Sequence, residues 1–441
     1  MSAEVLTIFM FVGLFIGVLL GFPVAFTMIG ISLIAGYFSI GGLVLAFSGN
    51  AINTVIGEFA FVAVPMFVFM GCILERTGLA KNSFEVLSQW LRKVRGGLGI
   101  SSVILCMMFA ACIGILGASV TTVGILALGP MIKKGYDKGF ATGIVAAGGS
   151  LGILLPPSIV LILFAVIAAV SMMRLFVAAV VPGIILGILY AIYAGVIGYL
   201  KKGVVPEISL EDDDMPVKYN LTQSLSAFLP FVILIFLVLG ALVFGIAAPT
   251  EVAAFGGLGS IAVAFAYKKC NLEILKGAMI QSIGVTAMVM LVAAAAMMFT
   301  SVFFIIGGRQ VVMNFIEFLG LGGNGIFFLF IIIIFVMGLC VDWIGVSMVM
   351  VPIFIPLLIS HGFDPIHVSV VVLVLLQTSF LTPPFAQSIL YALSVVPEDI
   401  EIKTAEAYKG AVPFICIQLF VAIICILFPS VVTFLPNMML G

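Results

Sequence analysis

The sequence predicts an all-α polytopic membrane protein: an inverted repeat of two halves, each with a re-entrant hairpin and a broken helix, giving about ten crossings plus two hairpins. Three observations predict it. Of 441 residues, 64% are hydrophobic and only 8% charged, with mean hydropathy +1.40. That excludes a soluble globular chain. The apolar runs, flanked by Gly and Pro, read as helices and not as the alternating strands of an outer-membrane barrel. A diproline-broken segment occurs twice, and the basic residues fall into a few tight groups.

The first break lies in GGSLGILLPPSIVLILFA (148–165). Pro156 and Pro157 each remove a backbone donor and clash with the preceding turn, so a helix cannot run through them. Gly148, Gly149, Ser150 and Gly152 leave main-chain carbonyls open to a close ligand. Freed carbonyls at membrane depth are tolerated only where they are buried in protein or line a cavity. The second break is QTSFLTPPFAQSILYA (377–392), 227 residues on. At that offset, residues 135–165 and 362–392 share nine identities in 31 positions, among them Gly135 with Gly362, Asp137 with Asp364, and both prolines. Pro23 and Gly30 recur as Pro249 and Gly256. Paired interrupted helices in two halves point to a transporter's binding site.

In chain order, 5–20 and 23–40 form a helical pair, 43–57 is a weaker segment along the surface, and 59–74 crosses. Residues 76–95 are amphipathic, with Trp90 and five basic residues, which suits an anionic membrane surface. Residues 98–132 are uncharged, enough for a hairpin whose tip is expected in GASVTTVG (117–124). The broken segment 139–170 and the span 175–200 complete the first half. A polar linker, 201–220, carries the acidic run Glu211 to Asp214, expected as solvated chain. The second half repeats the plan: spans at 221–246, 249–266 and 278–306, an interfacial candidate at 307–323, a hairpin at 325–360 centred on CVDWIGVS, a broken segment and a last span at 411–435. The first apolar run lacks a basic n-region or cleavage site and is expected to remain as a span. Seven cysteines show no disulfide or metal spacing.

Of 18 Lys and Arg, 16 lie in five groups (76–95, 133–138, 201–218, 268–276 and 403–409), leaving Arg174 and Arg309. All five groups fall on the cytoplasmic side if both uncharged stretches return to the side they entered from. Charge parity alone allows full double crossings; the small, hydroxylated tips favour hairpins. Both termini are then outside, and the halves are inverted.

Beside each break the residues offer hydroxyl and carbonyl oxygens, the ligands of a hard cation such as Na+, and not His or Cys. The expected ion ligands are Ser119, Thr121, Thr122, Gly149 and Ser150 in the first half, and Gly345, Ser347, Thr378, Ser379 and Thr382 in the second. Asp342 is the one ionisable residue deep in an apolar segment, where a carboxylate needs a partner or a task; ion coordination or proton coupling is favoured over a structural hydrogen bond. Substrate is expected at the breaks themselves, at Gly152, Pro156, Pro157, Ser158, Pro383 and Pro384, where half-helix N-termini favour an anionic group. Glu251 is expected as a first-turn acid. His361, Asp364 and His367 are expected to cap a corner and not to bind a metal.

The stretch GYDKGFATGIVAAGGSLGILLPPSIVLILFA (135–165), with FVAAVVPG (176–183), APTEVAA (248–254) and LTPPFAQS (381–388), resembles the large membrane subunit of tripartite ATP-independent periplasmic (TRAP) transporters. The resemblance spans nearly the whole chain. It implies an elevator-type transporter in the bacterial inner membrane, with hairpins and broken helices (98–174 and 325–396) moving against scaffold segments (1–97, 175–324 and 397–441). It also implies Na+-coupled uptake of an organic acid such as sialic acid or a C4-dicarboxylate, a small four-helix membrane subunit and a periplasmic substrate-binding protein. Na+ is the coupling ion; no cofactor and no nucleic acid partner is expected. The alternative is a standalone carboxylate symporter of related fold. An intramembrane enzyme would need a second deep carboxylate or a membrane histidine, and an ATP-driven pump a nucleotide loop absent from the sequence.

Overall fold

In hydrocarbon a chain must satisfy its own backbone polar groups. A computed structural model, which describes residues 2–207 and 219–440, builds nearly all of its length from helices. The acidic run of the expected linker, Glu211 to Asp214, lies outside the described residues. The first half runs α1 (Ala3–Leu19), α2 (Val24–Ile40), α3 (Val44–Gly57), α4 (Ala63–Thr77) and α5 (Leu79–Trp90), then a hairpin of α6 (Gly97–Ile113) and α7 (Leu116–Lys133). A broken helix follows, α8 (Lys138–Ser150) and α9 (Ile159–Ile167), and then α10 (Met172–Leu200). The second half runs α11 (Leu221–Ile235), continued through a π turn into α12 (Ala241–Val243), then α13 (Pro249–Ala266), α14 (Leu272–Ile305) and α15 (Gly308–Phe318). Its hairpin is α16 (Gly323–Cys340) and α17 (Trp343–Ser360), its broken helix α18 (Pro365–Ser379) and α19 (Gln387–Ser394), and α20 (Thr404–Leu427) and α21 (Ser430–Leu440) close the chain.

Among the described residues ten helices are long and apolar enough to cross a membrane, and that set includes the hairpin arms α7, α16 and α17 while omitting the shorter α1 and the pieces of the broken helices. Length therefore does not tell a crossing from a hairpin arm; contacts do. Gly114 ends α6 in left-handed backbone at φ +59, and a Cβ there would lie 2.5 Å from the Pro157 carbonyl oxygen. The tip of the hairpin rests on the first break. The 13 residues of α8 and nine of α9 span roughly 20 and 14 Å. Neither piece alone is long enough to cross hydrocarbon about 30 Å thick, and α6 and α7 pair as a hairpin whose tip ends on the break between α8 and α9. In the second half Gly338, near the end of α16, faces Ser379 at the end of α18.

The tip is not where the small, hydroxylated stretch 117–124 was expected to put it. A left-handed glycine terminates a helix cleanly, and Gly114 does so three residues upstream; 117–124 winds into the first turns of α7. Its glycines serve packing instead: a Cβ on Gly117 would lie 3.2 Å from the Tyr391 ring.

The inverted relation is carried by α20. Near its start Glu406 packs on Gly139, where a Cβ would lie 2.5 Å from the Glu406 carbonyl oxygen, and near its end the Cys425 carbonyl meets His367 Nε2 at 2.8 Å. Those two points are 19 residues apart on one helix, about 28 Å. The corners that open α8 and α18 therefore lie at opposite ends of α20, close to a full hydrocarbon thickness apart. Their shared residues have a common physical reason. Gly135 and Gly362 both take left-handed backbone, at φ +87 and +86, and Asp137 and Asp364 both cap the helix that follows, accepting from Phe140 N at 2.8 Å and Ile366 N at 2.7 Å.

The amphipathic segment divides at Gly78 (φ +66): Arg76 belongs to α4, and α5 begins at Leu79. One face of α5 is buried, with Ser83 Oγ donating to the Ala227 carbonyl at 2.8 Å and Trp90 lying 5.3 Å from Phe228. Glu251 accepts from Ala248 N at 2.9 Å, as a first-turn acid should.

Candidate functional site

Past Ser150, α8 tightens into the 3-10 turn Leu151–Ile153, and the amides of Leu154 and Leu155 both turn to the Leu151 carbonyl. The prolines then prevent the ladder from resuming until α9. Ser158 sits just before α9, its Oγ donating to the freed Ile153 carbonyl at 2.9 Å. The hairpin covers this break from one side: Gly149 packs on Val120, and a Cβ on Gly152 would lie 3.4 Å from Ser119 Oγ. Ser119 is fully buried, and its hydroxyl has no protein partner. Thr121 commits its hydroxyl to the Gly117 carbonyl at 2.8 Å, and Thr122 beside it is half-buried. Ser119, Gly149, Ser150, Gly152, Pro156, Pro157 and Ser158 thus converge, while Thr121 turns back on its own helix.

Around the second break, Thr378 donates to the Leu375 carbonyl at 2.6 Å and Thr382 to the Thr378 carbonyl at 2.7 Å. Ser379 faces Gly338, and Ser347 is fully buried with an unpartnered hydroxyl. Asp342 occupies the turn between α16 and α17, with its carboxylate against the Trp343 and Ile344 amides at the start of α17. A helix N-terminus at mid-depth is where an anionic side chain is best tolerated. Gly345 turns toward Val24 of α2, to which a Cβ would come within 3.0 Å, and so packs against the neighbouring helix pair and not against the break.

The two breaks have the same backbone plan, including a cis bond at Pro156–Pro157 and at Pro383–Pro384, but different surroundings. Pro156 and Pro157 are buried; Pro383 and Pro384 are exposed. Hydroxyls, carbonyls and one carboxylate can hold a hard monovalent cation. The N-termini of α9 and α19 open onto the breaks and can receive an anionic group.

Several polar groups here escaped the sequence reading. Gln377 of α18 and Gln418 of α20 are fully buried and both donate to Ser150, at 3.0 and 3.4 Å. Ser388 is buried with an unpartnered hydroxyl, and Gln387 Nε2 donates to Tyr391 Oη at 3.2 Å on the rim of the exposed break. The signal for Gln418 was present: a lone amide in an otherwise apolar span must find a hydrogen-bond partner.

Comparison with known proteins agrees with this architecture. The family model described as "Tripartite ATP-independent periplasmic transporter, DctM component" matches residues 9–431. The chain is 30% identical over 382 residues to the C4-dicarboxylate TRAP transporter large permease protein DctM of Pseudomonas aeruginosa, covering 86% of this chain and 87% of that protein. It is 27% identical over 422 residues to the isethionate TRAP transporter permease protein DctMQ of Oleidesulfovibrio alaskensis, covering 94% of this chain and 64% of that longer protein. Among solved structures it shares its fold with the Alcanivorax borkumensis YdaH transporter, at a TM-score of 0.64 and 15% identity over 92% of this chain and 96% of that one. A match along nearly the full length, on a chain whose own geometry is that of a polytopic transporter, places this protein in the DctM family, the large membrane component of the TRAP transporters.

Proposed function

We propose that this permease takes up a small organic acid across the bacterial inner membrane, coupled to Na+, by an elevator motion, with both termini periplasmic. The observation that carries the reading is the unequal exposure of two equivalent breaks. Pro156 and Pro157 are sealed while Pro383 and Pro384 are open, as a one-sided state of an inverted-repeat transporter would be. The ligand set supports Na+: Ser119 and Ser347 each keep a buried hydroxyl without a protein partner, one in each hairpin. The helix N-termini at the breaks support an anionic substrate, and the named relatives carry a C4-dicarboxylate and isethionate, both anions.

The moving body comprises the hairpins and broken helices, and packing argues for adding α10 and α20, which the sequence reading had set in the scaffold. Gly139, Gly143 and Gly410 bring α8 and α20 into backbone contact, and α10 packs on α6, α18 and α20. The scaffold is then chiefly α1–α4 and α11–α15. The partners are a periplasmic substrate-binding protein and a small four-helix membrane subunit.

Proteoliposomes holding this chain, the small subunit and the binding protein test the proposal. Uptake of a C4-dicarboxylate or sialic acid should require an inward Na+ gradient and the binding protein. Uptake untouched by collapse of every ion gradient would eliminate coupling, and uptake without the binding protein would favour the standalone symporter.

A further inference from the structure

At the first break the Ser150 carbonyl loses its α-helical donor and keeps only the first bond of the 3-10 turn Leu151–Ile153. Because the Leu154 and Leu155 amides both turn to Leu151, the Ser150 carbonyl loses the donor that an unbroken helix would supply. A carbonyl carries two lone pairs, so one remains for a further donor, and water does not reach it because Ser150 is 0% exposed. That second donor comes from the other half of the molecule: Gln377 Nε2 reaches the Ser150 carbonyl at 3.0 Å. A carbonyl only accepts, so the amide must present its NH2 there.

Gln377 stands 227 residues after Ser150, the same offset that relates the two diprolines, so the bond joins equivalent positions of the two repeats. It is not reciprocal. Ser150 is too short to reach back, and its hydroxyl folds onto the Ala147 carbonyl at 2.7 Å while accepting from Gln418 Nε2 at 3.4 Å. Ser150, Gln377 and Gln418 are each 0% exposed, so water does not substitute for either amide.

We infer that Gln377 is a positioning residue through which the second repeat fixes the shape of the first repeat's break at Ser150, with Gln418 as a second clamp on the same serine. The shape of the first break then depends on the helix that forms the second. Where the breaks hold the coupling cations, a consequence that rests on the function proposed above, filling one organises the other and ion dependence is cooperative.

The test is Gln377→Asn, one methylene shorter and unable to reach Ser150. Hydrogen–deuterium exchange in the backbone 148–158 should rise about tenfold, the effect of losing one buried hydrogen bond, with 138–145 unchanged. In proteoliposomes with the partner subunits, half-saturating Na+ should rise and the Hill coefficient fall toward 1, with the maximal rate retained. Gln377→Glu should keep the clamp while its carboxyl is protonated, the form burial favours, and behave like Gln377→Asn once pH is raised far enough to ionise it, because a protonated carboxyl can donate to the Ser150 carbonyl and an ionised one cannot. If Gln377→Asn does not fold, Gln377→Glu at two pH values carries the same comparison. Unchanged exchange at 148–158 overturns the clamp. Raised exchange with an unchanged Na+ profile overturns its link to cooperativity. Na+-independent uptake by the unaltered protein would sink the sodium reading instead, and exchange alone would then decide the clamp.

Discussion

Replacing Gly114 with Ala tests the central geometric claim, that the first hairpin ends on the first break. Two effects add. Gly114 sits at φ +59, where an L side chain is disfavoured by about 1–2 kcal/mol. The new Cβ would also lie 2.5 Å from the Pro157 carbonyl oxygen and 2.9 Å from Ser158 Cα. Both are backbone atoms that cannot rotate away, so the tip or the break must shift, which costs roughly 1–3 kcal/mol by the precedent of overpacked cores. Gly362 isolates the first effect: its φ is +86 and nothing lies within 4 Å of a Cβ there. Gly362→Ala should therefore lose only the conformational part. The difference, about 1–3 kcal/mol, is roughly 5- to 150-fold in the population of the docked tip. The assay is initial uptake in proteoliposomes with the partner proteins, paired with thermal unfolding of each variant. Gly114→Ala should lose most of its uptake and Gly362→Ala little. Equal loss in both, or none in either, would refute the docking of tip on break.

Gly410→Ala should destabilise by at least about 3 kcal/mol, because its Cβ would overlap the Gly139 backbone where α8 and α20 touch. Gly284→Ala, with open space around it, should instead gain up to about 1 kcal/mol of helix propensity, and thermal melts of the pair check both signs. Ser119→Ala and Ser347→Ala remove buried hydroxyls that have no protein partner, so melting without Na+ should be unchanged or raised while half-saturating Na+ for uptake rises. Melting lowered without Na+ and an unaltered ion profile would mark both as core serines. Asp342→Asn keeps the shape at the start of α17 and removes the charge; uptake should fall sharply while the Na+-free melt is retained.

The broken helices were legible in the sequence because proline acts locally. Pro156, Pro157, Pro383 and Pro384 forbid a continuous ladder whatever surrounds them, and both breaks fall where they stand. The repeat was legible for a related reason: Gly135 with Gly362 and Asp137 with Asp364 answer backbone needs that recur wherever that corner recurs. The hairpin turn was not. Position 114 offered one glycine, whereas 117–124 offered a cluster of small residues, and composition cannot tell a turn from close helix packing. Gln377 and Gln418 were hidden for another reason. Their importance lies in meeting Ser150 from two other helices, a long-range fact that no window of sequence contains.

The pairing of Ser150 with Gln377 also bears on how a repeat protein becomes directional. Two identical halves about a twofold axis would present equal breaks to the two sides of the membrane, with no preference between states. Here the equivalent positions have diverged, one into an amide long enough to cross the axis and the other into a short hydroxyl that receives it. The break that receives the bond is the sealed one, and the break that supplies it is open. The helix carrying the donor ends two residues later, at Ser379, and the exposed prolines follow. A displacement of the open break by substrate or ion would therefore act on Gln377 first and reach Ser150 through a single bond of 3.0 Å. Coupling along so short a path needs no chain of intermediaries.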